Sequence, residues 1–284
     1  LIMKKKILIL GSEGQIGNHL KVYLLNKKFK VFEFDLIRSK KEDLRLNWNK
    51  KLISKVKAAD FIFFFAFDVG GSRYLKKYQN TYKFISNNMK LMENTFQIIE
   101  KYKKPFLFAS SQMSNMSYSP YGLLKHIGEK YTEILGGIVV KFWNVYGIEK
   151  DLKKSHVITD FVLMALKDKK IKMLTNGKEK RDFLYAEDCC SGLEQILNNY
   201  NKIKSFKKSV DLTTGKYTSI IEIAKIVQKI LKKEKIFIKI QSSKYSDSIQ
   251  LDKRNKPDLF IKKYWKPKFS LQNGIERIIQ YYYK

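Results

Sequence analysis

The chain has 284 residues, 44% of them hydrophobic and 30% charged, a composition that excludes a disordered or fibrous protein. Its formal net charge of +30 suggests nucleic acid as a partner. Arginine, the residue suited to bidentate phosphate recognition, is confined to Arg38, Arg45, Arg73, Arg181, Arg254 and Arg277, so the lysine excess is read as solvated surface and coding bias.

The first apolar run, Lys6–Leu10, has the pattern of a fully buried parallel strand. No small-residue cleavage site follows, so it is not taken as a signal peptide. Gly11-Ser12-Glu13-Gly14-Gln15-Ile16-Gly17 comes next, and residues 16–25 predict an amphipathic helix. A glycine loop between strand and helix lets backbone N–H groups meet a pyrophosphate, which makes Gly11, Gly14, Gln15, Ile16 and Gly17 candidate cofactor contacts.

Residues 31–35 predict the second strand, ending on Asp35, 18 residues beyond Gly17. A carboxylate there binds adenosine ribose hydroxyls and repels a 2′-phosphate, favouring NAD over NADP. Arg38, close by, is the residue able to blunt that preference. A third strand over 61–66 precedes the turn Asp68-Val69-Gly70-Gly71. Helices over about 82–101 and 120–135 bracket a strand at 105–110, and a strand at 138–142 leads into Asn144-Val145-Tyr146-Gly147. This alternation predicts an α/β fold with a doubly wound parallel sheet of Rossmann type.

Beyond Gly147 the rhythm loosens to helices at 153–170, 219–233 and 271–283 and a strand at 236–240. Residues 1–150 are expected to form an NAD-binding domain, to which 183–197 and 210–212 return. Residues 151–284 are then mainly a smaller α/β substrate-binding lobe, with one cleft between the two. Cys189 and Cys190 are adjacent and read as buried small residues. No apolar run reaches the ~18 residues of a membrane span, and a cytoplasmic protein without membrane contact is expected.

Ser110-Ser111 and the spacing Tyr121-x-x-x-Lys125 carry the chemistry. One helical turn puts the phenol and the ammonium on one face, where the lysine is expected to lower the phenol's pKa. A phenolate so held takes a proton from a substrate hydroxyl while hydride leaves the same carbon.

Gly11-x-x-Gly14-x-x-Gly17, Asp35, Asp43-Leu44-Arg45, Ser111, Tyr121-x-x-x-Lys125, Asn144-Val145-Tyr146-Gly147 and Arg181-Asp182-Phe183-Leu184-Tyr185-Ala186-Glu187-Asp188 occur in this order, before Lys266-Pro267, Leu271 and Gly274-Ile275. The set resembles the extended short-chain dehydrogenase/reductase family, the NAD-dependent epimerase/dehydratase group acting on nucleotide sugars. The resemblance implies Ser111, Tyr121 and Lys125 as catalytic residues, with Asp43, Leu44 and Ala66 added to the NAD contacts. Val69-Gly70-Gly71 and Ser155-His156-Val157-Ile158 look like GDP-fucose synthases and GDP-mannose 3,5-epimerases. That implies a GDP-linked sugar near Val69, Gly70, Gly71, Asn144 and His156, with Arg181 on its phosphates. A homodimer through the helices at 82–101 and 120–135 is also implied, with Leu91, Phe96, Ile98 and Ile99 as candidate contacts.

Departures from the family pattern narrow the reaction. After Ser111 stand Gln112 and Met113, where 4,6-dehydratases of the family carry Asp and Glu and the 3,5-epimerases carry a cysteine in the second place. An amide and a thioether do not exchange protons near neutral pH. Hydride transfer at one carbon remains, and the leading expectation is an NAD-dependent C4 dehydrogenase making a 4-keto nucleotide sugar for surface polysaccharide, with GDP-manno-heptose the favoured substrate. A nucleotide-sugar 4-epimerase, a C4 reductase and a non-catalytic RNA-binding relative are the alternatives.

Overall fold

A computed structural model describes residues 5–247 and 256–283. In chain order its elements are β1 (Lys6–Leu10), α1 (Gln15–Asn26), β2 (Lys30–Phe34), α2 (Lys50–Ala58), β3 (Phe61–Phe64), α3 (Ser72–Tyr78), α4 (Tyr82–Tyr102), β4 (Phe106–Ser111) and α5 (Pro120–Ile134). There follow β5 (Ile138–Phe142), β6 (Asn144–Tyr146), α6 (Val157–Asp168), β7 (Lys170–Lys172), β8 (Lys180–Tyr185), α7 (Ala186–Asn198) and α8 (Tyr200–Phe206). The last are β9 (Ser209–Leu212), β10 (Tyr217–Ser219), α9 (Ile220–Lys233), β11 (Lys239–Gln241) and α10 (Leu271–Tyr282).

The apolar runs assemble as their composition requires. Strands buried on both faces need helices on both sides, and the parallel six-stranded sheet β2-β1-β3-β4-β5-β9 has them. Leu20 and Leu24 of α1 pack with Cys189, Cys190 and Leu193 of α7 on one face. Leu52 of α2, Phe96 of α4 and Leu124 of α5 cover the other. Both cysteines are free and sealed from solvent, and burial raises their thiols above the ordinary range.

Two smaller sheets, β10-β8-β6 and β11-β7, lie with α6, α9 and α10 around a third apolar cluster that includes Ile158, Phe161, Ile223 and Ile278. Two acidic residues of the Arg181–Asp188 run act as ties between segments. Asp182, fully buried, accepts the Thr214 hydroxyl at 2.6 Å and the Gly215 N–H at 2.7 Å, and Asp188 accepts the Lys268 and Phe269 N–H groups at 2.8 Å each.

Several expected boundaries move for identifiable reasons. The third strand stops at Phe64 because the Phe65 and Ala66 N–H groups both turn onto Leu10 O, at 2.9 and 2.8 Å. The helix expected from residue 153 starts at Val157, since Ser155 Oγ holds Leu152 O in a turn and His156 takes the N-cap place. The strand expected at 236–240 is reduced to Lys239–Gln241. Leu91, Phe96, Ile98 and Ile99 are buried inside this chain, so they are core rather than the subunit contacts expected of them; Ile85, Met89, Leu123 and Ile127 are among the exposed apolar side chains of α4 and α5, with Tyr82 and Ile134 at their ends. Among the described residues no helix is long and apolar enough to cross a membrane.

Candidate active site

The C-terminal ends of β1, β2, β3, β4 and β5 open into a cavity of about 510 Å³, within the ordinary range for small-molecule sites. Gly11, Gly14, Gln15, Ile16, Gly17, Asp35, Asp43, Leu44, Ala66, Val69, Gly70, Gly71, Ser111, Met113, Tyr121, Lys125, Asn144 and His156 all line it. Gln112 and Arg181 do not. Gln112 is buried beside the cleft, and the Arg181 guanidinium is paired with Asp247. The phosphate role expected of Arg181 is therefore not visible in this arrangement.

The glycine loop has the shape its sequence implies. Gly11 sits at φ +86°, where an L side chain is strained and a Cβ would fall 2.6 Å from Ala66 N. A Cβ at Gly17 would lie 2.0 Å from Gly11 O, so α1 can start against the loop only with glycine there. Gly14, the N-cap, supplies no side-chain cap, and the first-turn N–H groups of α1 remain for an anionic ligand. Asp35 ties this loop to the end of β2: its carboxylate oxygens accept the Glu13 and Ile37 N–H groups, each at 2.9 Å. The residues fit the pyrophosphate and adenosine half of a dinucleotide.

The end of the cavity that holds Tyr121 and Lys125 is buried and aromatic. Tyr121 is 8% exposed and Lys125 3%. Lys125 Nζ donates to Ala109 O at 2.6 Å and lies 3.7 Å from the centre of the Phe67 ring and 5.0 Å from that of Phe108. Burial lowers the ammonium to about 7, opposed by the buried carboxylate of Glu129 one turn along α5. Glu129 in turn accepts the Ser110 hydroxyl and lies 3.3 Å from Lys141 Nζ. Burial raises the Tyr121 phenol to about 12, and the opposing influence is its hydrogen bond with Ser111. The phenol is thus raised where lowering by Lys125 was expected, because its own burial prevails and the lysine is bound to the Ala109 carbonyl.

On the facing wall, the Gly71 N–H donates to Lys154 O at 3.0 Å, and a Cβ at Gly71 would fall 2.3 Å from Ser155 O. Val69-Gly70-Gly71 and Ser155-His156, far apart in sequence, therefore meet in space. His156 Nδ1 lies 2.6 Å from Glu149 Oε1, and the same carboxylate accepts the His156 N–H at 3.0 Å. Burial would lower His156, but its bond to Glu149 outweighs this and raises it; Glu149, which burial would raise, is lowered by the same pair. Tyr282 of α10 braces Glu149, donating to its carbonyl at 2.8 Å and accepting its N–H at 3.0 Å. Glu149, Glu129, Glu42 and Phe67 had no motif to mark them, since each acquires its place through partners on other elements or an added helical turn.

The sequence profile of the NAD dependent epimerase/dehydratase family matches residues 7–210. A putative UDP-glucose 4-epimerase of Methanocaldococcus jannaschii is 32% identical over 172 residues, covering 57% of this chain and 53% of the relative; the match thus spans about half that relative's length. A GDP-L-colitose synthase of Yersinia pseudotuberculosis is 24% identical over 314 residues, covering 98% of this chain and 97% of the relative. Among solved structures, an epimerase of Methanothermobacter thermautotrophicus shares the fold with a TM-score of 0.82 at 18% identity, over 99% of this chain and 92% of its own.

Proposed function

The chain belongs to the NAD-dependent epimerase/dehydratase family, whose members act on nucleotide sugars with NAD, and from this premise we propose that it oxidises C4 of a GDP-linked sugar to the 4-keto form for surface-polysaccharide synthesis. The observation that carries the reading is the juxtaposition of Ser111, Tyr121 and Lys125 at one end of the cleft with Met113 as the neighbouring wall. Tyr121 and Ser111 hold the C4 oxygen, and Tyr121, once deprotonated to the phenolate, takes the C4 hydroxyl proton as the C4–H bond breaks and its hydride leaves. In its ammonium form, Lys125 supplies the counter-charge to that phenolate. When bound, NAD supplies the hydride acceptor. Met113 has no proton to give or take, so dehydration at C5 and C6 finds no acid or base in that place.

The GDP preference is supported by the meeting of Val69-Gly70-Gly71 with Ser155-His156 and by the full-length similarity to a GDP-L-colitose synthase. GDP-manno-heptose is the first substrate to try. The exposed apolar side chains Ile85, Met89, Leu123 and Ile127 on α4 and α5 support a homodimer. One observation favours a second reading, epimerisation beside a 4-ketone: the Glu149–His156 pair lines the cleft and is built as a general base.

Turnover in deuterated water separates the two. Incubation of the protein with NAD and GDP-manno-heptose should yield NADH and 4-keto sugar in equal amounts, with no enzyme-dependent deuterium at C3, C5 or C6 after subtraction of an enzyme-free control. Label that disappears in His156→Ala would replace the dehydrogenase by an epimerase. Interconversion of C4 epimers without net NADH would replace it by a 4-epimerase.

A further inference from the structure

The adenosine end of the cleft contains a charge network that C4 oxidation does not use. Arg38 lies just beyond β2, where an unengaged guanidinium would recognise a 2′-phosphate bidentately. Two of its nitrogens face carboxylates, while the side chain as a whole is 39% exposed. Its Nη1 donates to Glu33 Oε2 at 2.6 Å and lies 3.9 Å from Glu13 Oε1, while Nε is 3.5 Å from Glu42 Oε2. Neighbouring ammonium groups are held in the same way. Lys21 donates to Glu13 at 2.6 Å and Glu33 at 3.0 Å, and Lys51 and Lys55 reach Glu42 at 2.6 and 2.9 Å.

The placement of these groups relative to the cavity is asymmetric. Glu13, Asp35 and Glu42 line it, with Lys150 beside Glu13 at 3.4 Å, whereas Arg38, Lys21, Glu33, Lys51 and Lys55 do not. A ligand at the end of β2 therefore meets the carboxylates of Glu13, Asp35 and Glu42, with Lys150 the counter-charge on the cavity side and Lys21, Arg38, Lys51 and Lys55 behind them. Asp35 is a poor single explanation of cofactor choice, because its oxygens also tie the glycine loop to β2 and its removal would disturb either cofactor.

We propose that Glu33 and Glu42 determine cofactor specificity by sequestering Arg38, so that the chain carries a latent 2′-phosphate ligand that these carboxylates keep from NADP. Glu33 is the decisive member. It makes the shortest contact to Arg38 and lies outside the cavity wall, so its neutralisation releases Nη1 from its nearest partner, leaving the longer contacts to Glu13 and Glu42, without touching a group that faces NAD. Glu42 is less suitable for substitution because Lys51, Lys55 and the Asp35 N–H all converge on it.

The test is calorimetric titration of the purified chain with NADH and NADPH, so that catalysis is not the readout. The parent chain should prefer NADH by at least about tenfold. Glu33→Gln should tighten NADPH by about tenfold, the scale of one charge-assisted hydrogen bond, and leave NADH within about threefold. Adding Arg38→Ala to Glu33→Gln should abolish the gain. Arg38→Ala alone should leave NADPH where it was, and this arm decides the matter should Glu33→Gln lose NADH binding through misfolding. The proposal is overturned by a Glu33→Gln protein that binds NADH normally with no gain for NADPH, by a gain that survives Arg38→Ala, or by loss of NADPH affinity in Arg38→Ala alone.

Discussion

At the adenosine end of the cleft, Glu42 is 3% exposed yet stays ionised; at the reaction end, Lys125 is also 3% exposed and is driven towards neutrality. Burial acts against the charge in both places. Around Glu42 it is outweighed by hydrogen bonds from Lys51, the Asp35 N–H and Lys55, which hold the carboxyl at about 2. Around Lys125 the neighbours are the Phe67 and Phe108 rings and one carbonyl, so burial prevails and Glu129 offsets it only in part. Equal surface exposure thus gives opposite titration, because Glu42 lies shallow among full opposite charges within hydrogen-bond reach whereas Lys125 lies deep, beside rings and one carbonyl. The adenosine end suits rigid recognition. The reaction end suits groups that change protonation near neutral pH.

The most forceful way to break this contrast is at the phenol. Tyr121→Phe should fold, bind NAD and lose at least ~100-fold in C4 oxidation, as expected for removal of a group exchanging the reacting proton. Near-normal steady-state turnover by this variant would remove Tyr121 from the chemistry.

A change at the other end tests stability instead of rate. Glu42→Gln should cost about 2 kcal/mol near neutral pH, less than the full shift implies because Lys51, Lys55 and Arg38 retain access to water. The sign follows from a lowered carboxyl: the contribution is fully present above the ordinary value of 4.5 and is lost as pH falls through about 2. Urea titrations of both proteins at neutral pH and near pH 3 measure it. A penalty that fails to shrink in acid would contradict the ion-paired reading.

The smallest effect has the opposite sign. Below pH 7 the folded chain carries a desolvated Lys125 ammonium, a destabilisation that fades as pH rises from about 7 towards the ordinary 10.5. Lys125→Met should therefore be inactive yet more stable at pH 6, by about 1–2 kcal/mol after the loss of its bond to Ala109 O, with the advantage gone near pH 10. Thermal unfolding across that range checks it. A variant less stable at pH 6 than at pH 10, relative to the parent, would place a net favourable charge at Lys125.

Much of the parallel sheet was legible because its signals are local. Lys6–Leu10, residues 138–142 and the glycine loop declare themselves by apolar runs, turn chemistry and the need for a missing Cβ at Gly11 and Gly17. Tyr121 and Lys125 were legible for the same reason, being one helical turn apart on α5. The short helices α2, α3 and α8 were not, since a helix of two turns bears too little periodicity to stand out. Leu91, Phe96, Ile98 and Ile99 show the converse failure: apolar spacing marks a buried face without saying whether the chain's own sheet or a second subunit buries it.

By itself the sequence determined the order of the longer strands and helices of the parallel sheet, the glycine loop, the carboxylate closing β2 and the residue types available for hydride chemistry, because each depends on neighbours within one or two turns of chain. Tertiary structure alone decided the charge states and pairings. Lys125 sits under Phe67, Glu149 faces His156, Arg38 faces Glu13, Glu33 and Glu42, and Arg181 is paired with Asp247 outside the cavity lining. The physical reason is range: backbone conformation is set by local sterics and hydrogen bonding, whereas a buried charge is governed by desolvation and by whichever opposite charges the fold brings within a few ångströms.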